Sequence, residues 1–169
     1  MGFNIRNKII PAGFKNLTEA EKKKICNGFG SKKGLKFPST FYGLNMLSCA
    51  DYHDYGYEKG RTSFEKFITD ALFLWNMYEE IERKSNWIMK PLRKRRARVY
   101  CKPVVFAGDS SFYLKEKSNL GEEPKFKGWN SWIREWKYNR RLWLLIGEFV
   151  KIKNVTQGNH RIMLSGLYS

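Results

Sequence analysis

The chain has 169 residues, 42% hydrophobic and 16% aromatic, with 32 Lys and Arg against 16 Asp and Glu for a formal charge of +16. That length buries a core without help from disulfides or metal, and the apolar content excludes a largely disordered chain. No apolar run approaches the ~20 residues of a membrane-spanning helix, and Met1-Gly2-Phe3-Asn4-Ile5-Arg6 has no apolar signal core, so no export signal is expected.

Thr18-Glu19-Ala20-Glu21 matches a capping box and predicts a short basic helix from Thr18 to Ile25. A glycine-bearing loop follows, Cys26-Asn27-Gly28-Phe29-Gly30-Ser31-Lys32-Lys33-Gly34, and then Pro38-Ser39-Thr40. From about Asn45, the positions Met46, Cys49, Ala50, His53 and Tyr57 fall at helical spacing, and Lys59-Gly60 reads as a stop. Thr62-Ser63-Phe64-Glu65 is a second capping box. It opens a helix to about Lys84 with an apolar stripe of Phe64, Phe67, Ile68, Ala71, Leu74, Trp75, Tyr78 and Ile81. The two helices predict an αα-hairpin with a very short connection.

Residues 83–108 carry nine Lys and Arg and no acid, centred on Pro91-Leu92-Arg93-Lys94-Arg95-Arg96-Ala97-Arg98-Val99-Tyr100, with Pro91 placed at a helix start. Residues 108–127 read as loop. Trp129, Trp132, Ile133 and Trp136 recur with helical period among Arg134, Lys137, Arg140 and Arg141, a pattern shared by interfacial membrane helices, nucleic-acid faces and ordinary packed helices. Residues 142–153 and 160–167 read as short strands. The expected class is therefore mainly α: a core over 1–108 and a basic, Trp-rich extension over 109–169 packed on it.

Charge is unevenly placed. Residues 1–48 hold nine bases and two acids, residues 49–82 three bases and eight acids, and residues 83–169 twenty bases and six acids. The basic flanks suggest a polyanionic partner, either nucleic acid or an anionic membrane surface. The acidic island suggests a held cation; a solvated helix face with chance clustering fits as well. Cys26, Cys49 and Cys101 are too few and too odd in number for a disulfide scaffold. Either one bridge with one thiol or a fully reduced chain fits, and a zinc site would have to draw on these three cysteines with His53 and His160, of which Cys49 and His53, four apart, share a helical face.

The hairpin predicts one contact. With Arg61 as the turn, His53 lies eight residues before it and Asp70 nine after it, so both sit roughly 12–13 Å from the turn. A carboxylate on an apolar face needs a partner, and the level imidazole is the obvious one. A buried His–Asp pair with no chemistry fits that geometry too.

Side by side, Cys26-Asn27-Gly28-Phe29-Gly30, Cys49 with His53-Asp54-Tyr55-Gly56-Tyr57 and Gly60, and Asp70 with Phe73 and Asn76-Met77 resemble the phospholipase A2 superfamily. The likeness is to its short bacterial and bacteriophage-encoded members. It covers roughly residues 25–108, including the Arg-rich stretch and Phe106-Ala107-Gly108. It implies calcium-dependent hydrolysis of the sn-2 ester of a phospholipid with release of a fatty acid. In such an enzyme His53 activates a water as general base and Asp70 fixes the ring, while Tyr57 supports Asp70 with a hydrogen bond. Asp54 and the backbone carbonyls at Gly28 and Gly30 would hold calcium. Arg93, Lys94, Arg95, Arg96 and Arg98 would meet the anionic phospholipid surface, and Cys26 and Cys49 would be the disulfide pair. The resemblance also implies a virion-associated or host-cytoplasmic protein that acts peripherally on membrane. The alternative from a different class is a catalytically inactive phospholipase-like protein, structural or nucleic-acid-binding, such as a phage virion component, that uses its basic face.

Overall fold

The computed structural model describes residues 8–30, 37–108, 112, 140 and 143–145, which are mainly helical with one two-stranded antiparallel sheet. After a single 3-10 turn at Phe14–Asn16, α1 (Glu19–Ile25) opens on the expected capping box. Thr18 Oγ1 accepts the Glu21 N–H at 3.2 Å, and the Glu21 carboxylate accepts the Thr18 N–H at 2.8 Å. The strands β1 (Thr40–Phe41) and β2 (Leu44–Asn45) pair Thr40 with Asn45 and Phe41 with Leu44. Tyr42 and Gly43 both have positive φ, the geometry of a tight two-residue hairpin turn. These strands are too short to produce a readable alternation in the sequence.

Next come the helices of the hairpin, α2 (Leu47–Lys59) and α3 (Ser63–Lys84). The second capping box is also formed: Thr62 Oγ1 accepts from Glu65 N, while Glu65 Oε2 accepts from the backbone N–H groups of Thr62 and Arg61 at 2.7 and 2.6 Å. Three orphan donors are thereby satisfied within a three-residue connection. Every residue from Ile68 to Leu74 is buried, because α3 is covered by α2 on one side and by a fourth helix, α4 (Met89–Ala107), on another. The apolar stripe is accordingly wider than the sequence reading and differs in membership. Leu72, Phe73 and Met77 join it, and Phe64, 55% exposed beside the turn, leaves it.

Helix α4 begins two residues before Pro91, which therefore sits inside the first turn, where a missing N–H costs nothing. It buries Ala97, Cys101 and Val105, spaced one turn apart, and continues through Pro103. Beyond it, Phe112 is buried against the Tyr57 ring, and Trp143 packs on the main core cluster. Trp143–Leu145 are helical where a strand was expected. The helix expected over Trp129–Trp136 and the strand over 160–167 lie outside the described residues, as does most of the loop over 108–127.

One close approach sets the spacing of the hairpin. A Cβ on Gly56 would lie 2.6 Å from Thr69 Cγ2 and 2.8 Å from Thr69 Oγ1, so only glycine lets α2 and α3 come this near. His53 sits one turn before Gly56, and Asp70 directly follows Thr69.

Candidate active site

The two residues made level by the hairpin are in contact. His53 Nε2 lies 2.9 Å from Asp70 Oδ1, with His53 7% and Asp70 1% exposed. Tyr57, one turn after His53, donates its hydroxyl to the same Oδ1 at 2.8 Å. An ionised carboxylate only accepts, so the proton of the neutral ring stands on Nε2 and the lone pair on Nδ1. The ring is held between Tyr57 and Phe73, with centroids 4.1 and 4.7 Å away.

A residue that the sequence reading passed over completes the cluster. Lys66, 3% exposed and one turn before Asp70, donates Nζ to Asp70 Oδ2 at 2.9 Å. Its signal in the sequence was present, since a lysine four residues before a buried aspartate shares its helical face. Burial pushes the Asp70 pKa up, but the Lys66 ammonium and the His53 ring more than offset this and hold it below the ordinary carboxylate value. For His53, burial disfavours the charged ring, yet Asp54 and Asp70 together hold its pKa above the ordinary imidazole value. Asp54 acts there through charge: its Oδ1 is 3.9 Å from Nδ1, beyond hydrogen-bond distance.

Asp54 also meets the glycine loop. Its Oδ2 accepts the Asn27 backbone N–H at 2.7 Å, which brings residues 26–28 against α2. Gly28 has φ +72° and Gly30 φ +120°, left-handed backbone that a side chain would strain. Phe29 between them is the anchor, buried against Phe41, Phe73 and Tyr100. Asp51 lies one turn before Asp54. Burial and the Asp54 charge push it up to about 6. Among the described residues, no three His, Cys, Asp or Glu side chains converge as a metal cluster. A cation here would draw on Asp54 and backbone carbonyls, the all-oxygen donor set that suits calcium, and the excess negative charge at Asp51 and Asp54 fits it.

Beside the ring is a narrow pocket lined by Ile9, Pro11, Tyr52, Thr69 and Phe73 together with His53. Asn76 holds the segment that covers it. Its Oδ1 accepts the Ile9 N–H at 2.7 Å, and its Nδ2 donates to the Ile9 carbonyl at 2.8 Å. Lys8 adds a hydrogen bond to Ser48 at 2.8 Å and an ion pair with Glu80 at 3.3 Å.

The five basic residues expected at an anionic surface divide. Arg93 donates to the carbonyls of Phe41 and Tyr42 and to Ser85 Oγ, tying the β-hairpin to α4. Lys94 pairs with Glu82 and lies over the Tyr78 ring. Arg96 donates to the Tyr100 hydroxyl and stacks over Tyr42 and Tyr100. Arg95 and Arg98 are exposed. No disulfide joins Cys26 and Cys49, which corrects the pairing implied by the resemblance. Cys49 is fully buried, its thiol pushed up to about 12 by burial, whereas the Cys26 thiol lies on the Asp51 carbonyl.

No helix among the described residues is long and apolar enough to cross a membrane. No protein-family model, curated protein or solved structure matches the chain.

Proposed function

We propose that the chain is a calcium-dependent phospholipid hydrolase of phospholipase A2 type, which releases a fatty acid from the sn-2 ester. The observation that carries this reading is the buried cluster in which Asp70 Oδ1 accepts from both His53 Nε2 and Tyr57. It leaves Nδ1 as the ring's basic atom. In this reading Nδ1 takes a proton from water as the oxygen attacks the ester carbonyl. The same proton passes to the departing alkoxide when the tetrahedral intermediate collapses. Asp70 stabilises the imidazolium formed in between and keeps the ring from turning. Asp54 and the carbonyls at Gly28 and Gly30 would hold calcium, which supplies charge for the substrate phosphate and the developing oxyanion when bound. Arg95 and Arg98 are the exposed members of the basic stretch that would meet anionic lipid.

A second reading keeps this architecture without turnover: a structural or nucleic-acid-binding protein using its basic face. It is favoured by the cover that Ile9 and Pro11 make over the pocket beside His53. The test is fatty-acid release from anionic phospholipid vesicles, with calcium and with chelator, for wild type and His53→Ala. Release that requires both calcium and His53 is expected. Folded protein that releases nothing from several lipids would leave the second reading, in which nucleic-acid binding falls steeply as salt rises.

A further inference from the structure

The Asp70 carboxylate is the most enclosed acid of the cluster, and its two oxygens have separate duties. Oδ1 serves the ring of His53 and the hydroxyl of Tyr57, both on α2, while Oδ2 accepts from Lys66 at 2.9 Å. The nearby thiol of Cys101 on α4 is directed to the Asp70 backbone carbonyl instead. A lysine 3% exposed is expensive to bury, and helix stabilisation does not explain it. Lys preceding Asp by one turn is the less favourable order for a helical ion pair. The ammonium also lies 5.7 Å over the Tyr57 ring, so it touches two members of the cluster at once.

We propose that Lys66 is a positioning residue of the candidate active site. Its ammonium locks Asp70 as an ionised acceptor with Oδ1 turned to α2, and this fixes His53 in the tautomer protonated on Nε2. Without the cation, the buried carboxylate carries an unbalanced charge and its second oxygen has lost its donor. The carboxylate is then released to rotate or to take up a proton, and an acid that donates to Nε2 would place the ring's proton on Nδ1. The nitrogen that faces the substrate would then carry the proton and could not take one from water. The inference rests on the hydrolase reading for its catalytic meaning but not for its geometry.

The test is nitrogen-15 NMR of the His53 ring at a pH where the ring is neutral, in wild type, Lys66→Met and Asp70→Asn, with fatty-acid release measured in parallel. Wild type is expected to show one tautomer, protonated on Nε2, and Lys66→Met a mixture of both. Lys66→Met is expected to lower kcat about tenfold with KM unchanged, the size typical of a lost supporting hydrogen bond. Lys66→Met combined with Asp70→Asn should be no slower than Asp70→Asn alone, because Lys66 acts through that carboxylate. A wild-type ring spectrum in Lys66→Met overturns the proposal, and so do losses that multiply in the double variant. Should Lys66→Met not fold, Lys66→Gln replaces it. The wild-type ammonium then gives an independent reading: slow exchange of its protons is expected, and fast exchange overturns the proposal. If wild type releases no fatty acid, the hydrolase reading fails, and the ring spectra alone decide the role of Lys66.

Discussion

Arg93 shows how a single side chain can be misread from composition. In a run of Arg and Lys it looks like one more surface charge, yet it donates three hydrogen bonds at 2.7–3.0 Å that join β1, the hairpin turn and the end of α3 to α4. Arg95, two residues on, is exposed. Arg93→Ala should therefore lower unfolding stability by about 1–2 kcal/mol in urea titration, whereas Arg95→Ala should stay within about 0.5 kcal/mol of wild type. The sequence could not separate them, because a guanidinium's partners here are backbone carbonyls more than 50 residues away. Lys66 was passed over differently: a lysine reads as solvent-facing, although its place one turn before Asp70 on the same helical face was already legible. His53, Asp70 and Tyr57 were legible because their alignment depends only on helical rise and the length of one turn.

At the scale of elements, the hairpin was readable almost to the residue. Its boundaries are written in local chemistry, the Thr62–Glu65 box at one end of the connection and Gly60 at the other. What was not readable is how α3 is used. A helix covered on several sides loses the one-sided periodicity by which a core face is recognised, and residues 68–74 are buried without interruption. The contact of Gly56 with Thr69 follows from that crowding. Gly56→Ala gains roughly 1 kcal/mol of helix propensity. It also drives a methyl group into Thr69, and overpacking of this kind costs about 1–3 kcal/mol. The expected outcome is a net loss of stability in thermal unfolding. Because the helices must part where His53 faces Asp70, the loss should come with a weakened Nε2–H signal of His53.

At the scale of the whole molecule, the carboxy-terminal end of the acidic island is neutralised by the basic flanks. Glu80 is buried beneath Lys8, Arg83 and Lys84, and Glu82 is paired with Lys90 and Lys94. So two of the eight acids of residues 49–82 form ion pairs with the basic flanks, and Asp70 pairs with Lys66 inside the island. Asp51 and Asp54 are the pair where negative charge accumulates beside the glycine loop. The ion pairs also set an acid limit. Although burial acts in the opposite sense, the lysine and arginine partners hold both Glu80 and Glu82 down to about 2, against 4.5 for the ordinary side chain. The depressed folded values mean that their stabilisation is complete above about pH 4.5 and is lost as pH falls toward 2. Stability measured by denaturant titration should decline across that window, and Glu80→Gln should flatten the decline. An equal slope in the variant would remove Glu80 from the account.

The Asn76 clamp on Ile9 has a consequence for the order in which the site comes together. The contact between His53 and Asp70 closes 17 residues of chain, whereas the one between Ile9 and Asn76 closes 67. Loop-closure entropy and the need for a preformed α3 surface both make the longer contact the later one. The expected order of folding is then that the dyad assembles while its pocket is still open to water and the amino-terminal segment arrives afterwards, so that hydrogen-exchange protection of the Ile9 amide should appear after that of α2 and α3.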